Sequence, residues 1–252
     1  MPEGDTVWRA ARMLHAALAG KALVRWDLRV PRFATSDLVG RAVLDVTPRG
    51  KHLLTRVEGG LTLHTHLGMD GAWRVYEGDR RWGGGPSHEI RAVVGSVDRT
   101  AVGYRLKVVE LLRTAEEDRA VGHLGPDLLG PGWDGEAALG NLLADPARPV
   151  GEALLDQRNL AGVGNIFKSE TCFVARANPW SPIGEVAGPG RLVVAAKRLL
   201  EINKKLPSGS RRLHVYGRRN LPCPRCGTPV RRDVQAERPT YWCPRCQPGP
   251  TG

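Results

Sequence analysis

Four cysteines near the C-terminus are paired as Cys223-Pro-Arg-Cys226 and Cys243-Pro-Arg-Cys246, with sixteen residues between the pairs. Each pair can place two thiolates on one side of a tetrahedron, and the spacing C-x2-C-x16-C-x2-C suits a single zinc ion held by four sulfurs. Pro224, Pro244 and Gly227 favour the tight knuckles that such a site needs. With four thiolates in place no coordination position stays open for water, so the metal, Zn2+, is expected to be structural. A redox pair would need only one C-x-x-C, and no βαβ pattern surrounds these residues. The fifth cysteine, Cys172, lies in an apolar segment and reads as a small buried hydrophobe.

The opposite end carries a second arrangement. Pro2 follows Met1 directly, and Glu3 follows Pro2. Proline and acids both favour a helix start; removal of Met1 would also leave Pro2 as a free secondary amine with a carboxyl beside it. A third stretch, "LLDQRNLAGVGNIFKSE" (154 to 170), reads as a helix ending near Asp156, a turn with Gly162 and Gly164, and a new helix from about Asn165. Unpaired N–H groups at a helix start form a ready phosphate site. Asn165 could cap that helix or donate to a phosphate, and Lys168 adds charge. The other reading is an ordinary turn between two helices. His64 and His66 share one face of a strand, but with no third ligand nearby they are expected to be satisfied strand histidines rather than metal ligands.

The elements that must position these residues follow from periodicity. Residues 5 to 18 suit a helix capped by Asp5 or Thr6, with Val7, Ala11, Leu14 and Leu18 on one face. From Lys21 to about Thr114 the period shifts toward two, and seven or so short strands separated by turn signals point to a sandwich or barrel. "LGPDLLGPGWDGE" (124 to 136) reads as a linker, and the pattern from there to about Leu206 is helical.

The 252 residues carry a net charge of +11. Nine arginines against two acids place +7 of that charge in the stretch from Arg211 to Gly252. Such a basic excess favours nucleic acid as partner. No stretch approaches the roughly 20 apolar residues of a membrane span, and the N-terminus lacks the apolar region of a secretory signal. The odd cysteine count favours a reducing, cytoplasmic setting, at the nucleoid if the source is bacterial.

Together "PEG" at the start, "RGKHLL" (49 to 54), "LDQRNLAGVGNIFKSE", "VYGRRNLPCPRCG" (215 to 227) and "RPTYWCPRCQ" (238 to 247) resemble the Fpg/Nei family of DNA glycosylases. The resemblance spans the chain. It implies an α+β multidomain protein: a β-sandwich led by a helix (1 to 118), a helix-two-turn-helix domain (119 to 214) and a four-cysteine zinc finger (215 to 252). It further implies base excision repair. The Pro2 amine would attack the sugar of an oxidised nucleotide flipped out of the helix, expel the base through an imine, and nick the strand by β,δ-elimination. A secondary amine suits this, because its iminium is charged without protonation and draws electrons from C2′. Glu3 would act as general acid/base. Lys51 matches the family's hairpin lysine, Asn165 its phosphate-binding asparagine, and Arg238 its zinc-finger arginine. Met69, in "HLGMDG" (66 to 71), would fill the gap left by the flipped base.

The N-terminal "PEG" resembles the endonuclease VIII branch, which favours oxidised pyrimidines, and the "DPRRFG" motif usual in the formamidopyrimidine branch is absent. "HLGMDG" looks more like the latter branch, so a formamidopyrimidine or 8-oxoguanine preference stays open. The partner is expected to be damaged DNA, duplex or partly single-stranded, and the protein a monomer. A catalytically silent zinc-containing DNA-binding protein is the rival reading, and an RNA-binding zinc module a weaker one that leaves Pro2 and Glu3 unexplained.

Overall fold

The computed structural model describes residues 1–78, 80–207 and 209–249. The chain divides into two compact units, one of Met1–Pro2 and Thr6–His123, the other of Glu3–Asp5 and Leu124–Gly252.

Helix α1 (Gly4–Leu18), part of the first unit from Thr6 onward, turns Val7, Ala11, Leu14 and Leu18 into that unit's core. Eight strands follow: β1 (Arg25–Leu28), β2 (Val43–Arg49), β3 (His52–Val57), β4 (Leu61–His66), β5 (Ala72–Glu77), β6 (Ile90–Gly95), β7 (Arg99–Tyr104) and β8 (Val108–Arg113). They form two four-stranded sheets in the orders β1-β6-β7-β5 and β2-β3-β4-β8, with every pairing antiparallel. The alternation of side chains gives each sheet one apolar face. Trp26, Leu28, Trp73 and Val94 from one sheet share a core with Val46, Leu53, Leu63 and Val109 from the other. This is the expected sandwich. The last strand was not foreseen as a separate element: Arg105, at φ 49°, breaks β7 from β8, where the sequence runs on without a turn signal. A short helix α2 (Asp118–Val121) closes the unit.

The second unit is built on α3 (Gly135–Leu143), α4 (Val150–Leu155), α5 (Asn165–Ala175) and α6 (Gly190–Asn203). Asp134 caps α3 by accepting from the N–H groups of Glu136 and Ala137 at 3.0 and 2.9 Å. Leu142, Leu154, Leu160, Phe167, Leu192 and Leu200 form the core. Strands β9 (Arg231–Gln235) and β10 (Arg238–Trp242) make a hairpin whose two turn residues, Ala236 and Glu237, both have positive φ.

The cysteine module expected from residue 215 packs with the helices. Phe173 of α5 joins Val215, Val230, Cys223 and Cys243 in one cluster. Gln247 and Gln235 donate to the carbonyls of Ala177 and Pro179 at 2.9 and 2.8 Å. So small a module has too little apolar surface for a core of its own and shares that of its neighbour.

Candidate active site

Glu3 is buried, and its carboxylate is the N-terminal cap of α5. Oε2 accepts from Gly164 N at 2.9 Å and Phe167 N at 3.1 Å, and Oε1 from Ile166 N at 2.7 Å. The groups expected to hold a phosphate are thus taken by a carboxylate from the other end of the chain. Three N–H donors and the positive end of a helix favour the ionised form of this acid. Gly164 is required here: a Cβ would lie 2.4 Å from Glu3 Cδ. Gly162, at φ 112°, turns its carbonyl to Gly4 N at 2.9 Å. Gln157 braces the same turn, donating to the carbonyls of Leu155 and Val163 and accepting from Gly162 N.

Three expectations are corrected here. Asn165 does not cap α5, whose start is Gly164 capped by Glu3; its side chain donates to Pro239 O at 2.8 Å instead. Its Oδ1 is buried and has no partner among the described residues. Asp5 is not a cap for α1, which begins at Gly4; its two oxygens accept from Arg211 at 2.6 and 3.0 Å, a buried bidentate pair. Lys168, expected to offer charge to DNA, is fully buried and donates to Thr240 Oγ1 at 2.5 Å. Because α5 packs on β10, its ammonium is turned inward. Burial pushes its pKa down to about 8, with the nearby Arg238 acting in the same direction. Arg238 itself is exposed at the first position of β10.

Glu170, one turn beyond, was not singled out from the sequence. Its buried carboxylate accepts from the backbone N–H groups of His214, Val215 and Tyr216 at 2.7, 2.8 and 2.9 Å, and stands 2.8 Å from His214 Nδ1. It ties α5 to the segment entering the cysteine module. Nothing local in "FKSE" signals this, since the partners lie 44 to 46 residues away.

In the first unit Lys51 occupies the turn between β2 and β3, flanked by the register pair Arg49 and His52. Met69 is 65% exposed in a loop closed by Gly71 N donating to Leu67 O at 3.0 Å. A Cβ at Gly71 would sit 2.1 Å from Leu67 O, so the loop depends on that glycine. The strand histidines are hydrogen-bonded: His64 Nδ1 is 3.0 Å from Glu110 Oε2, and His64 Nε2 is 2.8 Å from His52 Nδ1.

The ligand atoms of Cys223, Cys226, Cys243 and Cys246 all lie within 4.8 Å of one another, the only such group among the described residues. Zn–S bonds near ~2.3 Å set tetrahedral S···S distances of about 3.8 Å. The distances of 3.4 Å for Cys226–Cys243 and 4.0 Å for Cys223–Cys246 bracket that value. Arg225 N and Cys246 N point at the sulfurs of Cys223 and Cys243 at 3.4 and 3.5 Å. The residues fit one structural zinc ion, which would supply folding energy to the module. Among the described residues no helix is long and apolar enough to cross a membrane.

Comparison with known proteins agrees with this architecture. The family model of the formamidopyrimidine-DNA glycosylase N-terminal domain matches residues 1–100, and that of the zinc finger found in FPG and IleRS matches residues 220–249. The chain is 64% identical to a probable endonuclease 8 2 of Streptomyces coelicolor, covering 99% of this chain and 95% of that protein. It is 47% identical to the DNA-(apurinic or apyrimidinic site) lyase Nei2 of Mycolicibacterium smegmatis, covering 98% and 99%. The crystal structure of the MutM (Fpg) protein from Thermus thermophilus matches with a TM-score of 0.82 at 33% identity, covering 98% of each chain. Identity of this level over whole chains, together with the shared fold, makes this protein a member of the formamidopyrimidine-DNA glycosylase and endonuclease VIII family.

Proposed function

We propose that this protein is a DNA glycosylase with AP lyase activity, of the endonuclease VIII branch, that removes oxidised pyrimidines from DNA. The carrying observation is the Glu3 carboxylate, buried on three N–H groups beside the one residue that can become a secondary α-amine. Likeness to an endonuclease 8 and to an AP lyase over the whole chain supports the same reading.

In this reading Met1 is removed and the Pro2 nitrogen bonds to C1′ of the flipped nucleotide as the C1′–base bond breaks. Glu3, ionised at the start, takes the proton released as the amine adds and returns it to the ring oxygen as the sugar opens. The resulting iminium acidifies C2′, so the 3′-phosphate leaves by β-elimination and the 5′-phosphate by δ-elimination. Lys51 contacts the phosphate and assists. Asn165 and Arg238 hold the backbone at the lesion, and Met69 occupies the gap in the duplex. Lys168 supports Arg238 from beneath through Thr240 rather than touching DNA. Residues up to about 118 carry the chemistry, and the helical part and the zinc module bind DNA. A monomer in the reducing cytoplasm, at the nucleoid in a bacterium, fits the free thiols and the basic charge.

The test is a set of duplexes carrying one thymine glycol, one 8-oxoguanine or one abasic site. Faster release of thymine glycol, with nicked products ending in 3′-phosphate, is the expected result. Salt-sensitive binding without nicking of any substrate would refute it and leave a silent DNA-binding protein.

A further inference from the structure

Four histidines of the first unit gather beside Lys51. His52 opens β3, His64 and His66 lie on β4, and His123 follows α2. Register pairs His52 with His66, and His64 with Glu110 of β8. The His52 ring lies side by side with that of His64, the planes 22° apart, and edge-on to that of His66, each with centroids 5.0 Å apart, and His123 stands edge-on at 6.5 Å. This cluster holds no metal-binding geometry among the described residues.

The hydrogen bonds constrain where each proton sits. The Glu110 carboxylate accepts from His64 Nδ1–H, and with the His64 ring neutral its Nε2 is bare. The His52 Nδ1 facing that nitrogen at 2.8 Å must then be the donor, which leaves the lone pair of His52 on Nε2. His66 Nδ1 accepts from Gly68 N at 3.0 Å, so its proton is on Nε2. Gly68, at φ 71°, starts the loop that carries Met69. The cluster thus runs from the Lys51 turn at one end to the Met69 loop at the other.

Filling this place in a sheet requires no carboxylate–imidazole–imidazole chain. A buried polar group without partners is costly, and apolar side chains pack the same volume. We propose that the Glu110–His64–His52 relay, joined to His66, is a positioning device that holds the Lys51 turn and the Met69 loop in fixed geometry as one unit. The proposal rests on the roles given above to Lys51 and Met69. His52 and His64 are positioning residues, acting through Lys51 rather than on DNA. Burial first, then His64, His66, His123 and Lys51, lower His52 to about 3. Burial, followed by Lys51, His64 and Lys107, lowers His66 to about 4.

Two measurements on the full-length, zinc-loaded protein test this. Long-range nitrogen–proton NMR of the imidazoles should place the protons of His52 and His64 on Nδ1 and that of His66 on Nε2. Neither His52 nor His66 should titrate where a free imidazole charges, near ~6.5. Other tautomers, or ordinary titration, would overturn the relay. The second measurement is single-turnover nicking of an abasic-site duplex. His64→Phe keeps the volume and loses both hydrogen bonds, so the rate should fall about ten- to a hundredfold, as misplacement of a reacting group does. Affinity for the same duplex should fall no further than it does in Lys51→Ala, since only that one phosphate contact is displaced. In a double variant with Lys51→Ala the loss should not exceed that of Lys51→Ala alone; a multiplied loss, or no loss in His64→Phe, would overturn the proposal. Glu110→Gln, which still accepts from Nδ1, should keep the wild-type rate. Should His64→Phe fail to fold, Glu110→Ala at the partly exposed end of the relay replaces it in the cycle. An unchanged rate in Lys51→Ala would refute the role of Lys51, while the tautomer pattern would still decide the relay.

Discussion

Replacing Glu3 by glutamine separates the structural from the chemical share of its carboxylate. Oε1 accepts one backbone N–H and Oε2 accepts two. An amide nitrogen set at Oε1 faces Ile166 N donor to donor, whereas at Oε2 it faces two donors, so the variant adopts the first arrangement and loses one bond. Hydrogen bonds to charged groups contribute about 1.5–3 kcal/mol, and the lost negative charge at the helix start adds about 0.3–2 kcal/mol. The sum, about 2–5 kcal/mol, is a large part of an ordinary total of about 5–15 kcal/mol but leaves a folded protein. Urea denaturation should show a lower midpoint with an unchanged slope. Excision of thymine glycol should fall about 10²–10⁴-fold, the usual share of a general acid/base, with DNA affinity retained. An unchanged midpoint would contradict the N–H clamp. Normal excision by the folded variant would refute the acid/base role.

Further outcomes follow from the same geometry. Cys223→Ser should lose zinc and the order of the module, lowering DNA affinity as well as stability, since structural zinc supplies folding energy; unchanged affinity would remove the module from the DNA-binding surface. Met69→Ala should alter stability by no more than about 0.5 kcal/mol, as at other exposed positions, while slowing base release from an intact lesion; an equal rate would take the wedge away from Met69. The histidines set a pH dependence. The unfolded chain binds protons near ~6.5, whereas in the fold His52 and His66 charge only at about 3 and about 4. Their contribution is therefore complete above the unfolded value and is lost as pH falls below it. The slope is at most about 1.4 kcal/mol per pH unit for each ring. Urea midpoints across that range should fall with acid, and a flat profile would contradict the burial of the two rings.

What the sequence carried legibly was local. The start of α5 at Asn165 follows from two glycines and an apolar period that begins behind them, and the zinc site from cysteine spacing alone. A sandwich or barrel was legible because alternating strands need a second layer to cover their apolar faces, and the family resemblance narrowed it to the sandwich. What was missed depends on partners far along the chain. "LKVVELL" fits either helix or strand, and only pairing with β4 makes it β8. Glu3 finds Gly164 N at a separation of 161 residues, so a cap for α5 was sought in Asn165 instead. Lys168 reads as a surface charge until β10 covers it, and Asp5 as a helix cap until Arg211 pairs with it.

The central claim is that Pro2 becomes the attacking amine. Its most direct test is borohydride trapping of the purified protein on an oligonucleotide with one abasic site, followed by peptide mapping of the adduct. The account predicts a covalent, reduced adduct on the nitrogen of Pro2, absent from protein that retains Met1. An adduct on a lysine, or undiminished trapping and nicking by the Met1-bearing protein, would contradict it.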